Sequence, residues 1–382
     1  MAEIESPLNL SLHARIADID AAAWDACAGD NPFVSHAFLS VLEDSGSIGP
    51  NTGWHPQHMA LRDTSGALIA TVPMYAKSHS FGEYVFDQGW AEAFERAGGI
   101  YYPKLQVASP FSPVPGPRLL RRKDSGLSLA AVGDALVQAC KSLGLSSVHV
   151  TFCTETEWKE LGEANWLQRM GTQFHWRNAG YNAFDDFLAA LSSNHRKSIR
   201  RERRDANNCG LVFRTLRGAE IEPHHWDAFY RFYQATVDRK WGSAYLTFAF
   251  FTLLSQRLGD KVVLMLAEHN GVPVAGALNL AGHDTLYGRN WGCGGEWPFL
   301  HFELCYYRAI DYAIEHKLAR IEAGAQGAHK IQRGYLPQPT YSVHWLAHQG
   351  LSLAVGDFLA HERRAIQHEM QELEAFSPFR RI

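Results

Sequence analysis

Two stretches of this chain repeat one another, and a repeat limits the possible folds more than any single motif does. Residues 58–90 read as a strand, a turn at Ser65-Gly66, a second strand, a polar loop at 77–80 and an aromatic third strand. Residues 262–292 read the same way, with Asn270-Gly271 as a hairpin turn and Gly282-His283-Asp284 as the next. Each meander precedes a helix and one more strand: 128–145 then 147–152 in the first half, 299–318 then 319–324 in the second. In the second of these helices Leu300, Leu304, Tyr307, Ile310 and Ile314 recur at helical spacing. Two amphipathic helices lead into the second meander, one opened by Pro223 and one capped by Thr247. The order predicts an α/β fold of mixed sheets covered by helices, present as two tandem copies.

A length of 382 residues, 46% of them hydrophobic, provides for two cores. The first domain is expected over 1–165, with a proline-rich insertion at 103–117 that lacks helix or strand character and has the length of a lid. The second is expected over 166–382, with a basic helix at 194–206 and a C-terminal amphipathic helix that packs on the second module or on a partner subunit. A net charge of −4 excludes the global basic field of a dedicated nucleic-acid binder, so any polyanion contact must be local. The six cysteines are scattered without metal or redox spacing, and His344 and His348, on one face of a predicted strand, do not make a metal site by themselves. No apolar run approaches the ~18 residues of a membrane span and the N-terminus lacks an export pattern, so a cytoplasmic protein is expected.

The module order, together with the words LSSNHRKSIRRERRDANNCGLVF, DRKWGSAYLTFAFF, GVPVAGALNL, LYGRNWG and GAQGAHKIQRGY, resembles the GNAT acyltransferase fold in tandem, as in its FemAB-like branch. NPFVSHAFL, SHSFGEYVFD and GAQGAHK narrow the likeness to a bacterial FemAB-like subfamily. The resemblance covers nearly the whole chain. It implies transfer of an aminoacyl or acyl group to an amine, for known members from aminoacyl-tRNA, with a cell-wall precursor or small molecule as acceptor. No bound cofactor is implied; the donor is a substrate, either aminoacyl-tRNA or an acyl-thioester such as acyl-CoA. Two other readings stay open: an acetyl-CoA-dependent N-acetyltransferase of small molecules, and a duplicated scaffold that recognises a cell-wall or nucleotide ligand without turnover.

Amide formation needs a neutral amine, a held acyl donor, and donors or positive charge where the oxyanion develops. No nucleophile elbow, HExxH or Walker loop is present, and none is required. In the FemAB-like branch a lysine after the last strand, in a K-x-x-[FY]-G setting, is associated with the reaction centre. Here the words are Lys330-Ile331-Gln332-Arg333-Gly334-Tyr335, one residue longer and with Gly before Tyr. The resemblance makes Lys330 the catalytic candidate, an ammonium that stabilises the oxyanion, with Gln326 and Arg333 beside it as donor contacts. His329 is a candidate base. Relatives read GAQGEHK where this chain has Ala328, so Glu322 on the strand is the substitute carboxylate.

For the donor phosphate, Arg289, Asn290, Gly292 and Gly294 match the [Q/R]xxGx[G/A] pattern that opens a pyrophosphate-binding helix in coenzyme A enzymes of the fold. The residues GEWPF between this pattern and the helix depart from the usual spacing. Arg196, Lys197, Arg200 and Arg201 form two neighbouring basic rows suited to a phosphate-bearing partner, or alternatively a solvated helix face. The acceptor pocket is assigned to Arg239, Trp241, Tyr245, Trp291 and Tyr335 in the second half, and to Glu83, Asp87 and Trp90 at the matching strand end of the first.

Overall fold

The computed structural model describes residues 9–240, 244–324 and 327–380, without the side chains of 239, 240 and 328. The chain divides into two compact units: residues 1–171 with 339–366, and residues 172–338 with 367–382. Each carries antiparallel strands, a helix and a parallel strand in the order expected from the repeat, which is the tandem GNAT-like arrangement.

In unit 1 a four-stranded antiparallel sheet is ordered Asn9–His13, His58–Arg62, Leu68–Val72, Leu120–Arg121. A second sheet joins Trp54–Pro56, Met74–Lys77, Lys104–Val107, Ser147–Cys153 and the 339–346 end of Leu336–Leu346. One face of the second sheet is apolar: Met74, Leu105, Val107, Val148, Val150 and Val343 pack beneath the helix Leu129–Ser142, whose Ser128 cap accepts from Ala131 N. The opposite face holds Tyr75, Gln106, His149 and His344 in one register row and Trp54, Lys77 and Lys104 in the next. All seven are buried, so this sheet has one dry face and one buried polar face.

Two sequence expectations fail in this unit. The third strand is Met74–Lys77; residues 81–87 form a loop and Gln88–Arg96 a helix, so Glu83, Asp87 and Trp90 do not sit at a strand end. The insertion is not without structure either, because Lys104–Val107 lies between two strands, antiparallel to Met74–Lys77 and parallel to Ser147–Cys153. Lys104-Leu105-Gln106-Val107 alternates polar and apolar as a strand does, but both of its faces are buried.

In unit 2 the strand order is Leu211–Arg217, Val262–His269, Val272–Ala281, Thr285–Cys293, Arg320–Glu322 and then the 172–177 half of Leu167–Arg177. Asn270 and Gly271 both have positive φ, 52° and 76°, as a tight hairpin requires. The helix Pro223–Lys240 lies on the two middle strands, and glycines permit its close approach. A Cβ on Gly276 would come within 2.7 Å of the Phe229 ring, and one on Gly292 within 2.3 Å of the Phe232 carbonyl oxygen. Between the parallel strands runs a helix broken by a π turn: Leu300–Phe302, Glu303–Tyr307 and Arg308–Glu315. Leu300, Leu304, Tyr307, Ile310 and Ile314 all enter the core of this unit, as their spacing predicts.

The C-terminal helix, Gln349–Glu374, buries Val355 and Leu359 against Trp90, Tyr101 and Leu346. Arg169 holds its Glu362 through two bonds of 2.8 and 2.7 Å. Its first part therefore belongs to unit 1 and not, as expected, to the second module. Among the described residues no helix is long and apolar enough to cross a membrane, and no group of three or more His, Cys, Asp or Glu could hold a metal ion. Cys27, Cys140 and Cys153 are buried, and Cys209, Cys293 and Cys305 are half-buried.

Candidate functional site

The strand Thr285–Cys293 pairs in parallel with Arg320–Glu322 over three positions only, Thr285–Tyr287. Opposite Ala277–Asn279 its own register shifts at Arg289 and Asn290, which is a β-bulge. A bulge bends its strand away from the old direction. From Gly288 onward the strand has no ladder partner on that side among the described residues, and this end of the pairing is termed the splay. At the mouth of the splay Glu322 lies in register with Tyr287 on one side and His175 on the other, so the three side chains share a face.

All three are buried. Burial pushes the Tyr287 phenol up to about 12, helped by the Glu322 carboxylate. Burial takes His175 down to about 3, with Arg320 and Arg177 adding to the shift, so its imidazole is neutral at neutral pH. Glu322 has a long ion pair of 3.5 Å with Arg320 Nε. Neither Tyr287 nor His175 was singled out in the sequence. The signal available was their alternation with Leu286 and Trp176, which turn the other way into the core.

Lys330 is placed differently from its expected role. It lies on the short helical turn Ala328–Arg333 with its side chain buried, and Nζ donates to the carbonyls of Ala323 at 2.7 Å and Gly324 at 2.9 Å. Two of its three N–H donors thus hold the chain just past Glu322, and burial brings its pKa down to about 8. Lys330 thus holds the end of the strand Arg320–Glu322. His329 is largely exposed, shares a 3.0 Å hydrogen bond with the Tyr306 hydroxyl, and has its pKa lowered by partial desolvation of the ring and by Arg333 and Lys330.

Arg333 does not face a donor. Its Nη2 is 2.8 Å from Glu202 Oε1, its Nη1 donates to His329 O at 2.8 Å, and its guanidinium lies 3.4 Å from the Phe302 ring centroid. Glu202 accepts a second, short hydrogen bond from Tyr307. These two charges neutralise one another inside unit 2, so Arg333 is withdrawn from the donor set. Tyr335 is fully buried among core residues, with its hydroxyl donating to Tyr306 O at 3.3 Å, so it lines no acceptor pocket.

The pattern around Arg289 separates in the same way. Arg289 and Asn290 sit at the bulge, beside the splay. Gly292 is required by the crossing helix, and the Gly294 N–H already donates to Val274 O at 2.8 Å, so neither glycine offers a phosphate the bare backbone that the pattern implied. Trp291 is half-buried with its ring 5.1 Å from His301, and Tyr245 is half-buried in a bend before the helix Phe248–Leu258. Trp241 and Gln326 lie outside the described residues, as does the side chain of Arg239.

The basic helix spans Ser193–Asn207 and buries Ile199, Glu202 and Ala206. Lys197, Arg200 and Arg201 are exposed, with Arg204 beyond them. The pair of Arg200 with Asp185 is long, at 3.4 Å, and both side chains are more than half exposed, so it leaves the cationic face largely intact. Arg196 is half-buried and reaches back to Leu191 O.

In unit 1 Glu83 and Asp87 are both nearly inaccessible and share Lys104, whose Nζ is 2.7 Å from Glu83 Oε2, 2.5 Å from Asp87 Oδ2 and 2.8 Å from Ser80 Oγ. Burial disfavours every charge here. For Asp87 the Lys104 and His149 charges outweigh it and hold the carboxyl far below its usual range, and for Lys104 the two carboxylates outweigh it and raise the pKa. For Glu83 burial wins and lifts the pKa to about 7; for Lys77 it also wins and brings the pKa down to about 7. Trp90 packs its ring on His344 at 5.0 Å and beneath Arg169 at 5.2 Å. Lys77, Lys104 and His149 escaped the sequence analysis, and His344 was weighed there only as a metal ligand; their signal was a polar residue at every second position of otherwise apolar strands.

Comparison with known proteins places this geometry in a family. A family model for FemAB-like proteins, described as peptidoglycan biosynthesis/recognition, matches residues 15–381. Among solved structures, FemX superimposes with a TM-score of 0.57 at 10% identity, covering 91% of this chain and 100% of that one. The C-terminal domain of a putative lysylphosphatidylglycerol synthetase from Agrobacterium fabrum gives 0.54 at 11% identity, covering 89% and 95%. L-PGS from Bacillus licheniformis gives 0.50 at 10% identity, covering 87% and 98%. At such identities these likenesses establish the fold alone. No curated protein matches significantly.

Proposed function

The chain belongs to the FemAB-like family, the peptidoglycan biosynthesis/recognition type, and on that premise we propose that it is an amide-forming aminoacyltransferase whose reaction centre is the splay in unit 2. The carrying observation is that the parallel pairing of Thr285–Tyr287 with Arg320–Glu322 stops at a bulge, next to a buried carboxylate. An unpaired strand edge presents backbone N–H groups that can hold an acyl carbonyl and the oxyanion formed from it. Glu322 takes the proton from the acceptor ammonium, and the neutral amine attacks the carbonyl. The new C–N bond forms, the nitrogen's second proton passes to the departing ribose oxygen as the C–O bond of the aminoacyl ester breaks, and Glu322 releases the first proton to solvent. Lys330 keeps the strand end in place, and neutral His175 and Tyr287 put no competing charge beside the carboxylate.

The loss of both glycines from a pyrophosphate role, together with the exposed Lys197, Arg200 and Arg201, favours aminoacyl-tRNA over acyl-CoA as donor. Incubation of the purified protein with charged tRNA and, separately, with labelled acetyl-CoA tests this. Binding and transfer with charged tRNA only is the expected result; tight binding of acetyl-CoA alone supports the small-molecule N-acetyltransferase instead, and binding of neither refutes both. Glu322→Gln is expected to lower turnover about 100-fold or more with the fold intact.

A further inference from the structure

The polar face of the unit 1 sheet supplies no residue to the reaction centre proposed in unit 2, yet it is built at high energetic cost. Four ionisable side chains, Lys77, Lys104, Glu83 and Asp87, have side-chain exposures of 0 to 2%. Their mutual pairing is incomplete. Glu83 Oε1 is 3.9 Å from Lys77 Nζ, beyond hydrogen-bond reach. Glu83 Oε1, Asp87 Oδ1, Gln106 Oε1, Tyr75 Oη and Trp54 Nε1 are all buried without a hydrogen-bond partner among the described residues. A buried polar atom left unpaired is strongly disfavoured, and five together, three on one face of the sheet and two on the loop that covers it, do not arise from packing alone.

These atoms are sorted by type. Lys77 Nζ lies 3.8 Å from the Trp54 ring centroid, and the Trp54 Nε1 atom faces the loop at Gly82, where a Cβ would stand 3.4 Å from it. The donor side therefore adjoins Glu83. The acceptor side is made by Glu83 and Asp87, drawn together by Lys104. Two lysines and two carboxylates sum to zero, so a ligand of net charge would leave an uncompensated charge in the interior, whereas a ligand carrying one of each sign would not.

The cover is residues 78–87. It exposes Phe81, Tyr84 and Phe86 to solvent. It is held from below by the lysines themselves, through Lys77 Nζ to Phe81 O at 3.1 Å and Lys104 Nζ to Ser80 Oγ at 2.8 Å. A ligand that takes over Lys77 releases one of these two ties. Gly82, at φ 80°, provides the turn that an ordinary side chain would strain.

We propose that unit 1 carries a binding site for a free α-amino acid, its ammonium on Glu83 Oε1 and Asp87 Oδ1 and its carboxylate on Lys77 Nζ and Trp54 Nε1, beneath the 78–87 loop. The site is separate from the reaction centre of unit 2 and is read by binding, without a donor present. Calorimetric titration of the full chain with glycine, alanine and serine is expected to show binding. Alanine methyl ester and N-acetylalanine, which each lack one charge, bind at least about 10-fold more weakly, since each forfeits a charge-assisted pair. Lys77→Met and Glu83→Gln weaken binding by a similar factor, and Trp54→Phe, which keeps the ring and removes only the N–H, weakens it about 5-fold. Circular dichroism checks that the variants fold; should the charge variants not fold, Trp54→Phe and the ligand series on the unaltered protein decide the matter. Absence of binding, equal affinity for the one-charge analogues, or an amino acid that binds with indifference to the unit 1 substitutions overturns the proposal. The last outcome would put the amino acid elsewhere, and none of the three bears on transfer from charged tRNA.

Discussion

Replacing Arg333 by alanine separates a structural cation from a substrate-binding one. The substitution leaves Glu202, whose side chain is 11% exposed, with Tyr307 as its remaining partner, and removes the guanidinium from the Phe302 face. Breaking a buried ion pair by deleting one member costs about 3–5 kcal/mol, and loss of a desolvated cation–π contact adds about 1 kcal/mol. Because the pair keeps a little solvent access, the lower figure, about 3 kcal/mol, is the expected loss. With a urea dependence of about 1–3 kcal/mol per molar, the unfolding midpoint of unit 2 falls by about 1–3 M. The double variant Glu202→Gln, Arg333→Met removes both charges and recovers most of that loss. Urea unfolding followed by tryptophan fluorescence measures all three proteins. A single variant within about 0.5 kcal/mol of the parent, combined with weakened binding of tRNA, refutes the reasoning and restores Arg333 to the donor site.

The remaining expectations follow from the same geometry. Gly292→Ala drives a methyl group into the Phe232 carbonyl and should destabilise by about 1–3 kcal/mol in urea unfolding; unchanged stability would mean that the helix is not seated on this strand. For Lys330 burial depresses the folded pKa to about 8, below the unfolded value, so between these two values the unfolded chain binds more protons and stability rises with pH. Relative to Lys330→Met, the parent protein should therefore gain stability as pH is raised from about 8 to about 10.5, and a flat difference would place the ammonium in water. Changing Lys197, Arg200 and Arg201 together to glutamine should leave stability within about 0.5 kcal/mol, weaken tRNA binding, and lower the slope of log affinity against log salt by about 2 to 3. A salt slope that does not move removes that helix from the tRNA contact.

Fold and site were legible to different depths. Repetition of the strand–turn–strand order announced two like modules, and the Asn270-Gly271 turn, the Thr247 cap and the apolar spacing from Leu300 to Ile314 stand where the local signals put them. Those signals act over a few residues, so the chain reveals them by itself. The strand Lys104–Val107 was hidden, because proline and polar residues surround it and its lysine is neutralised by Glu83 and Asp87 from another segment. The family words pointed to the loop at Lys330, but a lysine in sequence does not say which carbonyls it will meet.

What the sequence determined alone was the order of elements, the duplication and the family, all of which rest on local propensity and hydrophobic period. Only the tertiary structure decided which charges are consumed within the fold and which stay available. Arg333 and Glu202 are 131 positions apart and cancel; Arg200 and Arg201, on the same helix as Glu202, remain in solvent. Glu322 and His175 become neighbours only when their two strands pair. Burial and pairing across long separations set the sign and strength of each charge, and neither quantity is contained in the spacing of residues along the chain.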